Sequence, residues 1–561
     1  MSAHNKLSRR EFLKDAAVAG SAAATAGVLG SVTTAPAMAA GGPDHWHKEA
    51  DVVVVGTGFA GLAAAITAAE SGAKVVIIEK ASQEYEGGNS KVSGQMWWTP
   101  KADQINGAVT YAKAMAYGTT PDDCLVALMN EMSNLNAWIL AKTGITAQVY
   151  TRYCPENPEL PGGSSMQVYN AGLGGTGRLY LPLRAYVDTL HNIEIMYETP
   201  AKELVQGPHG EVQGVLTSHG GKPHFLKARK GVILACGGFE FDFEMQKNFS
   251  PGWPIYGRGT PYNTGDGIKM CQKIGAPIWH MSSSLAGFGA LLLPINMPGT
   301  DIPWNANMTM PATANSFIML DKNGKRFMNE KNSDRHGFGQ KEYQLFFEGL
   351  ANADFTRIPW WTVFDVNSMN KGPILGSPPV NTTEKILFTW FRAYSGMTWS
   401  ADNHEAIDNG WILSANSISE LAGKMLAAQA QSQTRDHSTF PFTDHSTLTE
   451  ASLQAAIDKY NSYCASGSDP DFGRPASGMA PISTGPFYAM QNYPVTYNTL
   501  GGPKRNAKCQ IVDMDNHPIP HLYSAGEMGS FYGWMYNGGS NIAECLCTGQ
   551  IAARTALAER K

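Results

Sequence analysis

The sequence is poor in charged residues, in cysteine motifs and in long apolar runs. Charged residues make up 16% of the 561 positions, and the formal net charge is −5, so no general excess of basic residues is available to bind a nucleic-acid backbone. The mean hydropathy of −0.23 argues against a polytopic membrane protein. Beyond the first forty residues we find no run of about 18 apolar residues that could span a membrane.

The eight cysteines are too few for a disulfide framework in so long a chain. They form no CxxC or CxxCH motif, which excludes a c-type haem attached to this chain and leaves no recognisable zinc or iron–sulfur spacing. We therefore predict no metal site. Glycine, by contrast, is abundant: 59 of the 561 residues are glycine, which is about 10.5% against the roughly 7% that is typical of proteins. Such a composition favours many tight turns, as nucleotide-binding α/β proteins have.

The first 39 residues have the pattern of an export signal. Two arginines, Arg9 and Arg10, precede a weakly apolar stretch rich in Ala, Gly and Val, and Ala37-Met38-Ala39 follows. This pattern predicts a twin-arginine signal that is cut after Ala39. An Ala-rich helix with a basic start is the alternative, but its glycines and Pro36 would break such a helix. We expect a periplasmic or extracytoplasmic protein whose cofactor is inserted before export.

A dinucleotide-binding pattern follows the signal. A buried strand is predicted over 50–55, a glycine-rich turn over 56–61, a helix over 62–71 and a second buried strand over 74–78, ending at Glu79. The glycines permit a tight turn and close helix packing, the start of the helix binds phosphate, and Glu79 has the spacing to bind a ribose. The site residues predicted here are Gly56, Gly58, Phe59, Ala60, Gly61 and Glu79.

The residues after Glu79 favour FAD over NAD. Lys80 is followed by a glycine-rich run, Glu86-Gly87-Gly88-Asn89-Ser90, and then by Ser93-Gly94-Gln95. Such a loop can wrap around a flavin. With further segments this stretch resembles the flavoprotein subunits of the fumarate reductase and succinate dehydrogenase superfamily. Those segments lie at 231–239, 264–267, 324–330, 471–474, 486–489 and 524–527, so the resemblance covers about residues 46–558.

The resemblance implies an α/β fold with a Rossmann-type FAD-binding domain and an inserted α+β capping domain. The expected boundaries are 1–39 for the signal, 46–282 for the first part of the FAD-binding domain, 283–493 for the cap and 494–561 for its second part. Within the cap, we predict a polar surface loop over 429–445. The resemblance adds cofactor contacts from Lys80, Asn89, Ser90, Gly94, Ala201, Asp266, Glu527, Asn541 and Ile542. The FAD is expected to be noncovalent, because no histidine lies near 87–89, where a linked FAD would be attached.

The superfamily also implies a proton donor in the cap. Arg335 occupies the position of the arginine that protonates the substrate in fumarate reductases. Because the reference pKa of arginine is above about 12, it needs a charged relay, for which Asp334 and Glu330 are candidates. An ordinary ion-pairing role for Arg335 is the alternative. His336, beside it, could touch the substrate.

The residues that bind a dicarboxylate in the superfamily are missing. Its His-His-Thr-Met-Gly-Gly segment corresponds here to a segment that begins Tyr497-Asn498, its carboxylate-binding arginine corresponds to Tyr536, and its histidine early in the cap falls near Ala286 and Gly287. A phenol cannot replace a guanidinium in pairing with a carboxylate. These losses argue against fumarate as the substrate.

The aromatic segment 531–536 is instead similar to that of 3-ketosteroid dehydrogenases. By that similarity, the hydroxyl of Tyr536 and the main-chain N–H of Ser540 would hold a substrate ketone oxygen, where hydride transfer at the β carbon builds enolate charge. An aromatic packing cluster is the alternative, and for Tyr532, Trp534 and Tyr497 it is favoured. Trp97 and Trp98 could line the cavity or fill a domain interface.

We therefore expect an exported FAD-dependent oxidoreductase that reduces a C=C bond conjugated to a carbonyl in a largely uncharged, cyclic or steroid-like substrate. One alternative is an enoate reductase whose substrate carboxylate is held by residues such as Lys91, Arg326 or His336. A catalytically silent flavin-binding protein is another. The expected partners are a small-molecule substrate and a separate electron donor, such as a membrane-anchored cytochrome, since no haem or iron–sulfur motif lies in this chain.

Overall fold

A computed structural model describes residues 43–151, 154–171, 178–250, 252–297, 300, 302–331, 355–375, 390, 394–395, 397, 399–436 and 447–559. The predicted signal, residues 1–39, and the segment that contains Asp334, Arg335 and His336 lie outside this part of the chain. No helix among the described residues is both long and apolar enough to cross a membrane.

The strands, in chain order, are β1 (Lys48–Val55), β2 (Val75–Ile78), β3 (Met96–Pro100), β4 (Gln148–Val149), β5 (Met166–Asn170), β6 (Ile193–Met196), β7 (Ala201–Gln206), β8 (Val212–His219), β9 (Lys222–Leu234), β10 (Tyr256–Gly257), β11 (Ile278–Trp279), β12 (Ser284–Asn296), β13 (Pro303–Asn307), β14 (Phe317–Leu320), β15 (Trp360–Asp365), β16 (Leu413–Ala415), β17 (Phe487–Thr499), β18 (Gly502–Pro503), β19 (Gln510–Val512) and β20 (Pro518–Ser524). The helices are α1 (Phe59–Glu70), α2 (Gly88–Lys91), α3 (Ile105–Met115), α4 (Asp122–Met132), α5 (Leu135–Thr143), α6 (Tyr180–Asp188), α7 (Phe243–Phe249), α8 (Asp266–Lys273), α9 (Val366–Met369), α10 (His404–Asp408), α11 (Ile418–Asp436), α12 (Glu450–Ser466) and α13 (Ser540–Ala558).

The first sheet is the one that the sequence predicts around the glycine-rich turn. Its strand order is β19-β20-β9-β1-β2-β6. The five strands from β20 to β6 run parallel to one another, and β19 pairs antiparallel with β20. Successive valines of β1 belong to opposite cores: Val52 and Val54 pack with α1, whereas Val53 and Val55 pack with α8. A strand buried on both faces reads as a continuous apolar run, which is why Val52–Val55 shows no alternation.

The long strand β9 joins two kinds of pairing. Its first half pairs antiparallel with β8, which in turn pairs with β7, and its second half lies parallel to β1 and β20. The sheet is thus mainly parallel, with an antiparallel excursion formed by β7, β8 and the first half of β9. The C-terminal strands β19 and β20 extend this same sheet.

The second sheet is built around β17. Most of its strands lie within 283–493, the region predicted to form the cap. Its order is β13-β12-β17-β15-β14, with β10 and β16 also paired to β17. All of these pairs are antiparallel except β10 with β17. The α/β class and the FAD-binding architecture are therefore as predicted, whereas the boundaries at 282/283 and 493/494 stay a prediction.

The predicted surface loop over 429–445 is wrong for its first eight residues. Helix α11 continues to Asp436, because Leu421, Ala422, Met425 and Gln429 recur at helical spacing and are buried. A polar sequence can remain helical when one face packs on a core and the other consists of good helix formers such as Gln and Ala. Residues 437–446 lie outside the described part of the chain.

Candidate active site

The glycine-rich turn between β1 and α1 is held by close backbone contacts. Gly56 has a φ of 109°, and a Cβ atom there would lie 2.5 Å from the carbonyl oxygen of Ala235. A Cβ atom on Gly61 would lie 2.0 Å from the carbonyl oxygen of Gly56. Helix α1 begins at Phe59 and has no side-chain cap from Gly58. The Phe59 N–H donates to Ser90, and the N–H groups of the next residues in the first turn can bind an anion.

Glu79 lies at the end of β2, as predicted, and its carboxylate braces the turn. It accepts hydrogen bonds from the Thr57 hydroxyl (2.6 Å), the Thr57 N–H (3.1 Å) and the Ala81 N–H (2.9 Å). A carboxylate has about four acceptor positions, so three protein bonds leave room for a ribose hydroxyl. Its role in the protein alone is to fix the loop.

The loop after Glu79 reaches the start of α1. The Ser90 hydroxyl accepts from the N–H of Phe59 at 2.9 Å. Asn89 links this loop to two distant segments, since its Oδ1 accepts from the Thr260 N–H (2.8 Å) and its Nδ2 donates to the carbonyl oxygen of Tyr497 (2.9 Å). Gly94 follows on the exposed side of the same loop. Asn89 and Ser90 therefore lie where the sequence predicts them, beside the first turn of α1.

Lys80 and Asp266, two further predicted contacts, form an ion pair. Lys80 Nζ lies 2.7 Å from an Asp266 carboxylate oxygen and 2.7 Å from the Thr264 hydroxyl. Burial acts to raise the pKa of Asp266, but the Lys80 ammonium group and hydrogen bonds outweigh it and lower that pKa. The pair joins the end of β2 to the start of α8. Ala201, the other predicted contact on this side of the sheet, is the first residue of β7 and is buried.

Helix α13 begins with polar atoms that have no partner. The Ser540 hydroxyl and the Asn541 side-chain oxygen are enclosed, yet neither is hydrogen bonded to any residue that the structure describes. Gly539 precedes them with a φ of 90°, and a Cβ atom on it would lie 2.9 Å from the backbone of Trp97. Buried polar groups are rarely left unsatisfied in a protein, so this helix start, which includes Ile542, has the character of a ligand-binding surface.

Two buried carboxyl groups lie near each other in this region. Burial raises the pKa of Glu240 to about 7, and burial together with the charge of Glu240 raises the pKa of Glu527 well above its usual value. Asn263 donates to Glu527 at 3.5 Å, and Asn89 donates to Glu240 at 3.2 Å. The second oxygen of Glu240 has no partner among the described residues. Glu527 was predicted as a cofactor contact, whereas Glu240 was not.

These features fit an extended dinucleotide. A glycine-lined turn with a helix start, a braced acid at the end of β2 and unpartnered polar atoms at the start of α13 provide anion, hydroxyl and ring-edge binding groups. Burial raises the pKa of Glu527 well above its usual value, and its carboxyl group can accept from hydroxyl groups and, when protonated, donate to them. The residues present therefore fit FAD.

The aromatic segment before α13 divides into packing residues and one accessible phenol. Tyr532 is fully buried, and its hydroxyl accepts from the indole N–H of fully buried Trp98 at 2.8 Å. Trp97 is also fully buried and donates to Asn136. Tyr536 is only partly buried. The full burial of Tyr532 agrees with the predicted packing role, whereas the reactive role of Tyr536 stays a prediction.

The amide predicted to assist Tyr536 is already hydrogen bonded. The Ser540 N–H donates to the carbonyl oxygen of Asn537 at 2.9 Å, and the Tyr536 carbonyl accepts from Asn157 at 3.0 Å. A substrate oxygen would have to share or displace the Asn537 bond to use the Ser540 amide. The predicted pairing of Tyr536 and Ser540 therefore stays a prediction.

Two arginines of the predicted cap, Arg326 and Arg474, form ion pairs. Fully buried Arg474 bonds to Glu330 at 3.0 Å, and Arg326 bonds to both Glu330 (2.9 Å) and Asp469 (2.9 Å). Glu330 thus fixes two guanidinium groups, which leaves it poorly placed as a proton relay. Two of the residues predicted to hold a substrate carboxylate are therefore already bonded within the protein. Arg326 forms the ion pairs described above, and Lys91 donates to the carbonyl oxygen of Glu84.

A buried ion pair that the sequence did not indicate supports the start of the aromatic segment. Arg505 Nη2 lies 2.7 Å from the Glu544 carboxylate, which also accepts from the Ser530 hydroxyl (2.6 Å) and the Phe531 N–H (2.7 Å). Arg505 in turn donates to the carbonyl oxygens of Ser524 and Gly526. This cluster holds the loop that carries Glu527 against α13. The nearby Cys545 and Cys547 have thiol pKa values raised well above normal by burial, as expected of inert thiols.

Comparison with known proteins identifies a family and a similar protein for this chain. Residues 51–542 match the family described as FAD binding domain. The chain is 28% identical to the digoxin reductase of Eggerthella lenta over 98% of this chain and 97% of that protein. The match to the family confirms FAD as the predicted cofactor.

Two solved structures share the fold. The 3-ketosteroid delta1-dehydrogenase of Sterolibacterium denitrificans, in complex with 1,4-androstadiene-3,17-dione, has a TM-score of 0.71 at 20% identity and covers 91% of this chain and 100% of its own. A flavocytochrome c3 fumarate reductase in an open conformation has a TM-score of 0.63 at 20% identity, over 91% of this chain and 78% of its own. The predicted resemblance to fumarate reductases and ketosteroid dehydrogenases is confirmed.

Proposed function

The chain belongs to the FAD binding domain family, and from that membership we propose that it is an FAD-dependent oxidoreductase that reduces a C=C bond conjugated to a carbonyl. The bound FAD supplies a hydride donor and acceptor. The residues that would hold it are the turn 56–61, Glu79, the loop 87–94, Glu527 and the start of α13. The observation that carries the proposal is the position of a partly exposed phenol, Tyr536, immediately before the unpartnered polar atoms of Ser540 and Asn541.

The chain's own residues have two tasks in such a reaction. Addition of hydride to the β carbon places negative charge on the carbonyl oxygen, and the Tyr536 hydroxyl is a neutral donor suited to that charge in a site shielded from water. The α carbon then needs a proton, for which Arg335 is the proposed donor. Fully buried Trp98 and Tyr532 keep the aromatic segment in place.

The physiological setting is part of the proposal. The twin-arginine pattern of residues 1–39 supports export to the periplasm or another extracytoplasmic compartment. The two electrons come from a separate protein, such as a membrane-anchored cytochrome. We propose the reductive direction, in keeping with the reductase named among the relatives.

Two substrate classes fit a conjugated carbonyl. The loss of the superfamily's carboxylate-binding histidines and arginine supports a neutral enone, cyclic or steroid-like, whereas an enoate requires a cation from elsewhere in the chain. A silent flavin-binding protein is the third possibility, because so many of those residues are replaced.

Anaerobic turnover with reduced viologen separates these possibilities. The purified holoenzyme is mixed with a panel of enones, enoates and fumarate, and viologen oxidation is followed. We expect substrate-dependent oxidation with at least one conjugated carbonyl, and loss of it in Arg335→Lys with FAD still bound. Oxidation by none of the panel would support the silent protein, and turnover of fumarate in preference to every enone and every monocarboxylic enoate would overturn the assignment of the substrate carbonyl to Tyr536.

A further inference from the structure

Arg258 is a buried guanidinium group without a carboxylate partner. Its side chain is 5% exposed, and among the described residues no carboxylate forms an ion pair with it. Among the described residues its side chain contacts Tyr497, whose hydroxyl accepts from Nη1 and whose ring centroid lies 4.8 Å from the guanidinium carbon. Two arginines that are buried more deeply contrast with it, since Arg474 pairs with Glu330 and Arg505 pairs with Glu544.

An unpaired buried cation is costly in a protein. Removing a charge from water without a counter-charge costs several kcal/mol, and the hydrogen bond to the Tyr497 hydroxyl offsets only part of that free energy. Burial accordingly lowers the pKa of Arg258, although a guanidinium group stays charged in proteins. A residue kept at such a cost is best explained by a ligand that brings the missing negative charge.

Part of the guanidinium group has no acceptor among the described residues. Nη1 donates to the Tyr497 hydroxyl, whereas no described residue accepts from Nε or Nη2. Tyr497 is partly exposed. A ligand would therefore approach the guanidinium group from the side of Tyr497.

The backbone fixes this pair next to the predicted flavin loop. Strand β10 lies parallel to β17, with Gly257 opposite Thr496, and the Arg258 N–H donates to the Thr496 carbonyl at 2.9 Å. The carbonyl of Tyr497 accepts from Asn89, and Asn89 also binds the Thr260 N–H. Arg258 and Tyr497 thus lie where the second sheet meets the loop that carries Asn89 and Ser90.

We propose that Arg258, together with the Tyr497 hydroxyl, binds a carboxylate group of the substrate, so that the substrates of this chain are unsaturated carboxylic acids. The planar guanidinium fork matches a carboxylate with two parallel hydrogen bonds. The inference rests on the proposed function and selects between its two substrate classes. The expectation of an uncharged substrate followed from positions 497, 498 and 536 and from the missing histidine near 286–287, whereas Arg258 lies elsewhere in the sequence, directly after β10.

Ligand binding to the oxidised holoenzyme tests this without turnover. Crotonate and cinnamate, each with its neutral amide, are titrated while shifts in the flavin absorption spectrum are recorded. We expect each acid to bind at least about tenfold more tightly than its amide. Arg258→Gln should remove that preference, and Arg258→Lys should keep only part of it because lysine lacks the fork. Arg229→Gln is the matched control, since Arg229 is exposed and pairs with Asp51 at 3.0 Å.

Three results would overturn the inference. One is equal binding of acids and amides, or no binding of either acid; another is an acid preference that survives in Arg258→Gln. The third is loss of FAD from Arg258→Gln, which would assign the cation to the cofactor phosphates. Turnover with reduced viologen tests the proposed function separately. Reduction of the amides without any preference for the acids would support the proposed function and contradict this inference. Arg258-dependent binding of the acids without any alkene reduction would support a carboxylate site and contradict the proposed function.

Discussion

Gly61→Ala tests whether the start of α1 binds the cofactor. The added Cβ atom would lie 2.0 Å from the carbonyl oxygen of Gly56, where carbon and oxygen need about 3.3 Å. Because the obstacle is backbone on both sides, α1 must move by more than about 1 Å, and overpacking of this kind costs about 1–3 kcal/mol of stability. The same shift misplaces the first-turn N–H groups.

The loss of FAD affinity follows from those N–H groups. A hydrogen bond to a charged phosphate contributes about 1.5–3 kcal/mol, so losing one weakens binding about 10- to 150-fold. The assay is titration of flavin-free protein with FAD, followed by fluorescence. Gly72→Ala is the control at the other end of α1: Gly72 has a φ of 84° and no atom within 4 Å of an added Cβ, so alanine costs about 1–2 kcal/mol of stability through its backbone alone. Equal FAD affinity in the two variants would refute the assignment of the phosphate site.

Three further predictions concern the buried polar groups. Glu544→Gln should lower the free energy of unfolding by about 3–5 kcal/mol in urea denaturation, because it leaves Arg505 buried without its counter-charge. The control is Glu131→Gln, at the more exposed pair with Arg554, which should lower it by less than about 1 kcal/mol. Similar losses in the two variants would show that burial does not decide the contribution of these ion pairs. In flavin-free protein, stability should fall as the pH rises from about 4.5 to about 7, since folded Glu240 with its raised pKa keeps a proton that the unfolded chain releases. In Glu240→Gln the melting temperature should depend less on pH over that range. An unchanged slope would show that Glu240 is not the titrating group. Tyr536→Phe should reduce kcat about 10²- to 10³-fold, whereas Tyr532→Phe should chiefly lower stability by leaving the Trp98 N–H unpaired; equal kcat losses would remove the special role of Tyr536.

The parts of the fold that follow from local sequence were predictable. The run of valines before Gly56, the glycine spacing and the acid at Glu79 each depend on neighbours within about 30 residues, and the structure has all of them in place. Helix α11 was missed because its polar composition outweighed, in our interpretation, the helical spacing of Leu421 and Met425.

The parts of the site that depend on long-range contacts were not predictable. Arg258 and Tyr497 are 239 positions apart, and only the pairing of β10 with β17 brings them together. The proximity of Glu240 to Glu527 and the use of Glu330 to hold Arg326 and Arg474 likewise depend on tertiary packing. A sequence pattern can name a candidate charge, but it cannot tell which charges are already paired.

A single-turnover titration tests the central claim most directly. Holoenzyme is reduced anaerobically to one two-electron equivalent per FAD and then titrated with α,β-unsaturated acids and ketones, while the flavin absorbance and the product are measured. The account predicts a yellow protein with one FAD per chain, reoxidised by one equivalent of a conjugated alkene that is recovered saturated. A colourless protein after reconstitution with FAD, or a reduced flavin that no conjugated carbonyl reoxidises, would contradict it.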